Sequence, residues 1–273
     1  MKLTEQQREQ ITGRFLGYIR GYDLQDPKIR LKMDHSFRVA KLCERIAAEQ
    51  ADAAAAGETS AAGAGNIDIN LIWLIGLLHD IGRFEQVRRY GTFVDARSVD
   101  HARLGADLLF QEGLLEQISG GFLTGQEQAA AEVSIRNHNR YRIDETLPQK
   151  QTAYCNILRD ADKIDIFRVL CDTPAEEIYN VTSKQLRSAG VSEEVKECFR
   201  RRIAVPRQIR RTPVDSIVGH ICLFFELVYP VSRRIALEQG YLDQLLQFSS
   251  ENQETRTWFA FMRSVLGGRQ AAE

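Results

Sequence analysis

The sequence lacks the features that define several large protein classes. Its five cysteines include no CxxC pair, and an odd, scattered count does not fit a disulfide framework or a cysteine-type zinc site. The longest apolar run, residues 67–78, contains Asp68 and Asn70 and is too short to span a bilayer. A formal net charge of -1 argues against a dedicated nucleic-acid binder. With a polar N-terminus that does not resemble a secretory signal, these absences predict a soluble cytoplasmic protein.

Proline is scarce and signs of β-structure are missing. Only 6 of the 273 residues are proline, so most segments can remain helical for several turns. No segment alternates convincingly between apolar and polar residues, and no hairpin dipeptide joins such segments. We therefore predict an all-α helical bundle that forms a single domain over residues 1–273. The Ala-rich stretch at residues 51–66, broken by Gly, Ser and Thr, predicts a flexible surface loop between two helices.

What the sequence does contain is a pair of polar residues at the end of its most apolar segment. Residues 71–82 read LIWLIGLLHDIG, so His79 and Asp80 follow a run of large apolar side chains. Gly82 is a typical helix stop signal and predicts the end of that helix. A His and an Asp in such a position are metal-type ligands, provided that other segments supply partners for them.

Four further segments each place a His or Asp on the apolar face of a predicted helix. A lone residue of this kind is more often a core side chain with a hydrogen-bond partner, but a buried unpaired carboxylate is costly. Six imidazole and carboxylate groups that converge could share a cation, and so many nitrogen ligands favour a first-row divalent metal over Mg²⁺ or Ca²⁺. The four residues are His35, His101, His138 and Asp162.

The order of these residues resembles a known signature. His35, the His79–Asp80 pair and Asp162 follow the H…HD…D order of the HD-domain superfamily of metal-dependent phosphohydrolases. The wording LLHDIG is close to that family's usual motif, and residues 159–165 resemble its closing motif. The resemblance implies an HD-domain-like helical bundle, with a metal-site core at about residues 30–170. A C-terminal helical extension would occupy about residues 171–273.

Two more histidines are similar to ligands of the dinuclear members of that superfamily. His101 lies in an HxxxG-like element, and His138 lies where those members place another ligand. The resemblance implies two divalent transition-metal ions (Fe, Mn, Zn or Co), with Asp80 bridging them. His101 and His138 would help to hold the second ion. The first ion would be held by His35, His79, Asp80 and Asp162.

A dinuclear site of this kind implies hydrolysis of a phosphomonoester or phosphodiester by a metal-activated hydroxide. The substrate would be a nucleotide or a small phosphorylated metabolite, and its charge calls for cationic contacts. Arg83 directly follows the HD helix and is the first choice, and Lys163 adjoins Asp162. Together with Asp80 these two residues are assigned catalytic roles. Arg140 and Arg142 follow His138 and could approach the substrate from a loop.

Several alternatives remain open from the sequence. The same ligand set resembles the di-iron oxygenases of the superfamily, and a non-catalytic nucleotide or metal sensor could retain the site. The Arg-rich run at residues 200–211 favours a solvated face over an anion site, and His220 favours a core role. Asp95, Ser98 and Asp100 could orient a ligand histidine or cap a helix, with capping favoured for Ser98. A homo-oligomer is possible.

Overall fold

The structure, a computed structural model, describes residues 1–57 and 67–267, and every regular element within them is helical. This confirms the predicted all-α fold. Within the same residues no helix is both long enough and apolar enough to cross a membrane. The α-helices, numbered α1 to α15 in chain order, span Glu5–Ile19, Pro27–Ala55, Ile69–Leu78, Ile81–Tyr90, His101–Ala106, Leu114–Ser119, Gly125–Asn137, Gln149–Asp172, Ala175–Tyr179, Ser183–Ser188, Glu193–Arg200, Pro213–Ile221, Pro230–Glu238, Tyr241–Leu246 and Gln253–Gly267.

The chain divides into two compact units, Met1–Ala161 and Asp162–Glu273. The boundary falls within α8, so one helix belongs to both units. The prediction of one domain, with a core at about 30–170 and an extension at about 171–273, stays a prediction.

In the first unit, α2 and α3 pack closely enough to bring two histidines together. The buried face of α2 includes His35, and α3 is buried along nearly its whole length up to His79. Gly76 makes the close approach possible, because a Cβ atom there would lie 2.8 Å from the Cα atom of Ala40. The rings of His35 and His79 consequently lie with centroids 5.1 Å apart.

The helical backbone is interrupted at the His79–Asp80 pair. Helix α3 ends at Leu78, and α4 begins at Ile81 after a break in the helical backbone at Asp80, where φ is -103° and ψ is 18°. Gly82 therefore lies in the first turn of α4, and the prediction that it ends a helix is wrong. Its role is steric, since a Cβ atom at Gly82 would lie 2.3 Å from the carbonyl oxygen of His101. The glycine lets α4 and α5 cross, which brings His101 to Asp80.

The Ala-rich stretch is only partly described. Residues 51–55 form the last turn of α2 rather than a loop, because alanine is the strongest helix former and continues the helix. The prediction of a loop is wrong for these residues. Residues 58–66 lie outside the described part of the chain.

In the second unit, the first and last arginines of the Arg-rich run pair with nearby glutamates. Arg200 contacts Glu193 at 2.6 Å, and Arg211 contacts Glu194 at 2.7 Å. These exposed ion pairs agree with the prediction of a solvated face. His220 is partly buried and its Nδ1 atom lies 3.0 Å from the Tyr179 hydroxyl. Burial and the charge of Arg210 lower the pKa of His220 to about 3, so this side chain is neutral at physiological pH.

Candidate metal centre

The carboxylate of Asp80 lies at the centre of the candidate site. It is almost fully buried, and four imidazole nitrogens surround it. Oδ2 faces His35 Nε2 at 3.6 Å and His79 Nε2 at 3.5 Å. Oδ1 faces His101 Nε2 at 3.4 Å and His138 Nε2 at 3.6 Å. Each oxygen therefore belongs to a different pair of histidines, which is the arrangement that a bridging carboxylate requires.

Hydrogen bonds on the far side of the rings determine which nitrogen faces Asp80. The Nδ1 atoms of His79 and His138 each lie 2.7 Å from a backbone carbonyl oxygen, that of Gly76 and Ile135 respectively. A carbonyl oxygen can only accept, so each Nδ1 carries the proton and donates it. Each Nε2 is then left with its lone pair directed at Asp80, which is the tautomer of a histidine that binds metal through Nε2.

His101 is oriented in the same way, by a carboxylate in place of a carbonyl. Its Nδ1 atom donates to Asp95 Oδ2 at 2.7 Å. Its Nε2 atom lies 3.0 Å from Nε2 of His138, so two lone pairs face each other. Burial lowers the pKa of His101 and favours the neutral ring that has this lone pair.

These contacts test whether the residues fit a metal ion. Facing lone pairs repel unless a cation lies near both of them. Asp80 Oδ1 is buried and has no hydrogen-bond partner within the described ranges, and an unsatisfied buried oxygen is costly. A divalent cation would relieve the repulsion between the lone pairs and would give Asp80 Oδ1 a partner. A donor set of imidazole and carboxylate suits first-row metals. The residues present fit the metal that the resemblance implies.

The structure brings all six predicted ligands together. Asp162 stands on α8, one residue beyond Ala161 on the same unbroken helix. Metal binding by each residue stays a prediction, but the ligand atoms lie close enough together to share an ion. Ligand atoms lie within 4.8 Å of one another in three overlapping groups: His35, His79 and Asp80; His79, His138 and Asp162; and Asp80, His101 and His138.

The electrostatic environment keeps Asp80 ionised. Burial alone would raise the pKa of this carboxyl group, but the positive charge of the Lys32 ammonium outweighs this effect, and the Arg83 guanidinium acts in the same direction. The pKa of Asp80 is therefore held well below its usual range. An ionised carboxylate among imidazole lone pairs has the charge that attracts a divalent cation.

Arg83 lies beside the ligands, as its position in the sequence suggests. Its Nε atom is 3.6 Å from Asp80 Oδ1. Its Nη1 atom donates to three acceptors, Gln86 Oε1 at 2.8 Å, the Phe93 carbonyl at 2.7 Å and Asp95 Oδ1 at 2.9 Å. The guanidinium is thus held in one position, and its contact with substrate stays a prediction.

The other predicted substrate contacts have different surroundings. Lys163 is buried, and its ammonium lies 3.5 Å from Glu226 Oε2. Arg140 and Arg142 are exposed in the segment after α7, where the Arg142 guanidinium lies over the Tyr141 ring at 5.9 Å. The roles of these three residues in binding substrate stay predictions.

Two residues of the site were not recognised from the sequence. Lys32 lies one helical turn before His35, and its ammonium is 2.6 Å from Asp80 Oδ2. Arg159 is buried and donates to the carbonyl oxygens of Asn137, Arg140 and Tyr141, which fixes the segment around His138. A spacing of three residues from a ligand is the signal for Lys32. Arg159 opens the closing motif at residues 159–165, which is the signal for it.

The three polar residues before His101 have separate roles. Asp95 orients the His101 ring, as described above. Asp100 is the N-cap of α5 and accepts hydrogen bonds from the backbone of Ala102 and Arg103. The Ser98 hydroxyl instead accepts from Gln86 Nε2 at 2.9 Å, so the preference for a capping role at Ser98 is wrong. Its place is taken by Asp100, which directly precedes the helix.

Replacing Asp95 with alanine is expected to weaken one metal position selectively. Without the carboxylate, His101 loses the hydrogen bond that fixes its tautomer and orientation. Outer-shell partners of this kind contribute about 10–100-fold to metal affinity, so a loss of that size is expected for one ion. Calorimetric titration of the apo protein with Mn²⁺ or Zn²⁺ would measure it.

Asp100→Asn is the matched control for Asp95→Ala. Asparagine is an equally good N-cap, and its side-chain oxygen can accept the same hydrogen bonds from the α5 backbone and from Asn139 Nδ2. The affinity of the Asp100→Asn variant for both ions is expected to match that of the unmodified protein. Equal affinities in the Asp95 and Asp100 variants would contradict the orienting role of Asp95.

Comparison with protein families agrees with this geometry. Residues 33–166 match the family model described as the HD domain, and this range includes all six predicted ligands. Comparisons with curated proteins and with solved structures gave no match. Through residues 33–166, the chain therefore belongs to the HD-domain superfamily of metal-dependent hydrolases.

Proposed function

We propose that this protein is a metal-dependent phosphohydrolase that acts on a phosphomonoester or phosphodiester, such as a nucleotide or a small phosphorylated metabolite. The observation that carries the proposal is the position of Asp80, with each carboxylate oxygen facing a different histidine pair at 3.4–3.6 Å. In the reaction a water molecule adds to phosphorus and the P–O ester bond breaks. The products are an alcohol and a phosphate or a phosphomonoester.

The protein's own residues hold and orient the reacting centre. Two divalent ions, when bound, would activate the water and neutralise charge on the phosphoryl oxygens. Asp80 would help to hold both ions, because histidine nitrogens face each of its carboxylate oxygens. The Gly76 and Ile135 carbonyls keep the proton of His79 and His138 on Nδ1, and Asp95 does the same for His101. The ligand lone pairs are therefore oriented before any substrate arrives.

Arg83 contributes fixed positive charge at the edge of this centre. Three acceptors hold its guanidinium, and only 14% of the side chain is exposed. A charge that is already oriented stabilises a developing negative charge without reorganisation. A phosphoryl group beside Asp80 would gain this stabilisation as its oxygens become more negative. This favours an anionic substrate over a neutral one.

The proposal is tested by metal content and by hydrolysis. Protein purified with and without oxygen is expected to contain close to two transition-metal ions per chain by elemental analysis. Loaded with Mn²⁺, Co²⁺, Fe²⁺ or Zn²⁺, it should release phosphate or p-nitrophenol from a panel of nucleotides, phosphomonoesters and bis-p-nitrophenyl phosphate. Chelation should abolish the release, and returning the metal should restore it.

Two results would contradict the proposal. Less than one metal ion per chain under both purification conditions would exclude the metal centre. Inactivity across the whole panel, together with oxygen uptake on an alcohol or phosphonate, would favour an oxygenase. The second result would leave the ligand assignments intact and change only the reaction.

A further inference from the structure

Lys32 is the closest cationic side chain to Asp80 among the described contacts. Its ammonium lies 2.6 Å from Asp80 Oδ2, and its side chain is 17% exposed whereas that of Asp80 is 3% exposed. The ammonium also lies 5.7 Å from the centre of the Phe93 ring, within reach of a cation–π contact. Lys32 is thus a partly exposed side chain in direct contact with the buried carboxylate.

The oxygen that Lys32 contacts is shared with one histidine pair. Oδ2 is the Asp80 oxygen that faces His35 and His79, which are predicted to hold the first metal. A divalent ion bound to Oδ2 would stand close to the Lys32 ammonium, and like charges repel at such a distance. A metal and the ammonium therefore compete for Oδ2, unless an anion lies between them.

Lys32 and Arg83 differ in their freedom to move. The Arg83 guanidinium is held by Gln86, Phe93 and Asp95. Within residues 1–57 and 67–267, the Lys32 ammonium makes a single hydrogen bond, which is with Asp80. A lysine side chain has four rotatable bonds and bears its charge at the tip, so Lys32 can leave Oδ2 and remain beside the site.

We propose that Lys32 is a substrate-binding residue whose ammonium leaves Asp80 Oδ2 for a phosphoryl oxygen of the substrate when the first metal ion binds. The inference rests on the proposed function, because it requires a metal at Oδ2 and an anionic substrate. The phosphoryl group then lies between two positive groups, the metal and the ammonium. Removal of Lys32 has opposite effects on the two ligands: the metal binds more tightly and the anion binds more weakly.

The experiment compares Lys32→Met with Lys32→Arg. Methionine has a similar length and no charge, whereas arginine retains the charge. Calorimetric titration of the apo protein with Mn²⁺ should show about tenfold tighter binding of the first ion in Lys32→Met, as expected on loss of one hydrogen bond to a charged group. The affinity of Lys32→Arg should remain within a few-fold of the unmodified protein.

The second measurement uses inorganic phosphate as the probe. Titrated into the Mn²⁺-loaded protein, phosphate should bind about tenfold more weakly to Lys32→Met than to the unmodified protein. Lys41→Met is the matched control, because Lys41 is an exposed residue on the same helix. It should change neither affinity, and all variants should have the circular dichroism spectrum of the unmodified protein.

The possible results separate this inference from the proposed function. If the unmodified protein binds no Mn²⁺, both are wrong. If it binds Mn²⁺ and hydrolyses phosphoesters while Lys32→Met has unchanged affinities, only the inference is wrong. Weaker Mn²⁺ binding in Lys32→Met would also overturn the inference, since it would show that Lys32 supports the metal rather than competing with it.

Discussion

Replacing Asp80 with asparagine is expected to remove both metal ions and with them any hydrolytic activity. The amide has no negative charge, and only one of its two terminal atoms can act as a ligand. Even outer-shell partners of a metal contribute about 10–100-fold to its affinity, so loss of a shared ligand should cost at least about 100-fold at each position. Calorimetry with Mn²⁺ and elemental analysis of the purified variant would measure the loss.

A carboxylate remote from the site provides the control for this variant. Asp172 is exposed and pairs with Arg168 at 3.1 Å, and exposed pairs of this kind contribute little. Asp172→Asn should therefore bind both ions normally. Loss of one ion with retention of the other in Asp80→Asn would show that the two histidine pairs do not share this carboxylate.

Gly82→Ala is expected to produce the largest change in stability. A Cβ atom at this position would lie 2.3 Å from the His101 carbonyl oxygen and 2.6 Å from the Gly105 nitrogen. Both are backbone atoms, so α4 and α5 must separate to admit the methyl group. Overpacking of this kind costs about 3 kcal/mol in free energy of unfolding. A decrease in Tm of roughly 6–12 °C should be visible by calorimetry or circular dichroism.

Gly17→Ala is the matched control for Gly82→Ala. Gly17 lies on an exposed face of α1, and a Cβ atom there meets no other atom within 4 Å. Alanine is favoured over glycine in a helix by about 0.5–1 kcal/mol, so this variant should be slightly more stable. A Tm for Gly82→Ala equal to that of the unmodified protein would contradict the close crossing of α4 and α5.

The same substitution should affect metal binding. Separation of α4 and α5 moves His101 away from Asp80, because the clash is with the His101 backbone itself. The second ion should then bind more weakly in Gly82→Ala. The affinity of the first ion, predicted to bind at His35 and His79, should be unchanged. A fall in stability without a change in either affinity would show that α5 can shift without displacing the His101 ring.

The all-α fold and the set of candidate ligands could be predicted because both depend on periodicity. Side chains three and four positions apart share one face of a helix, so an apolar stripe identifies which His and Asp residues point inward. His35 is such a case, because Val39, Leu42 and Ile46 follow it on the buried face of α2. Candidate ligands can be recognised in this way without knowing how the helices are arranged.

The remaining features depend on that arrangement. Lys32 shares a helix face with His35, but a lone lysine in a sequence usually indicates a solvent-exposed position. Only the packing of the helices places its ammonium at Asp80. Arg159 binds backbone carbonyls, and every residue has a carbonyl, so no residue type marks such partners. Gly82 resembled a helix stop because close backbone approach and helix termination both select glycine.

The Asp95 carboxylate has a consequence for how variants of this protein combine. Its Oδ2 accepts from His101, while its Oδ1 accepts from both Arg83 and Gln86. A substitution at Arg83 therefore removes one partner of the carboxylate that also orients His101, a predicted metal ligand. Energetic coupling should appear as non-additivity when changes at Arg83 and Asp95 are combined. A variant designed to change substrate preference at Arg83 should therefore also be titrated with Mn²⁺, because the orientation of His101 depends on the same carboxylate.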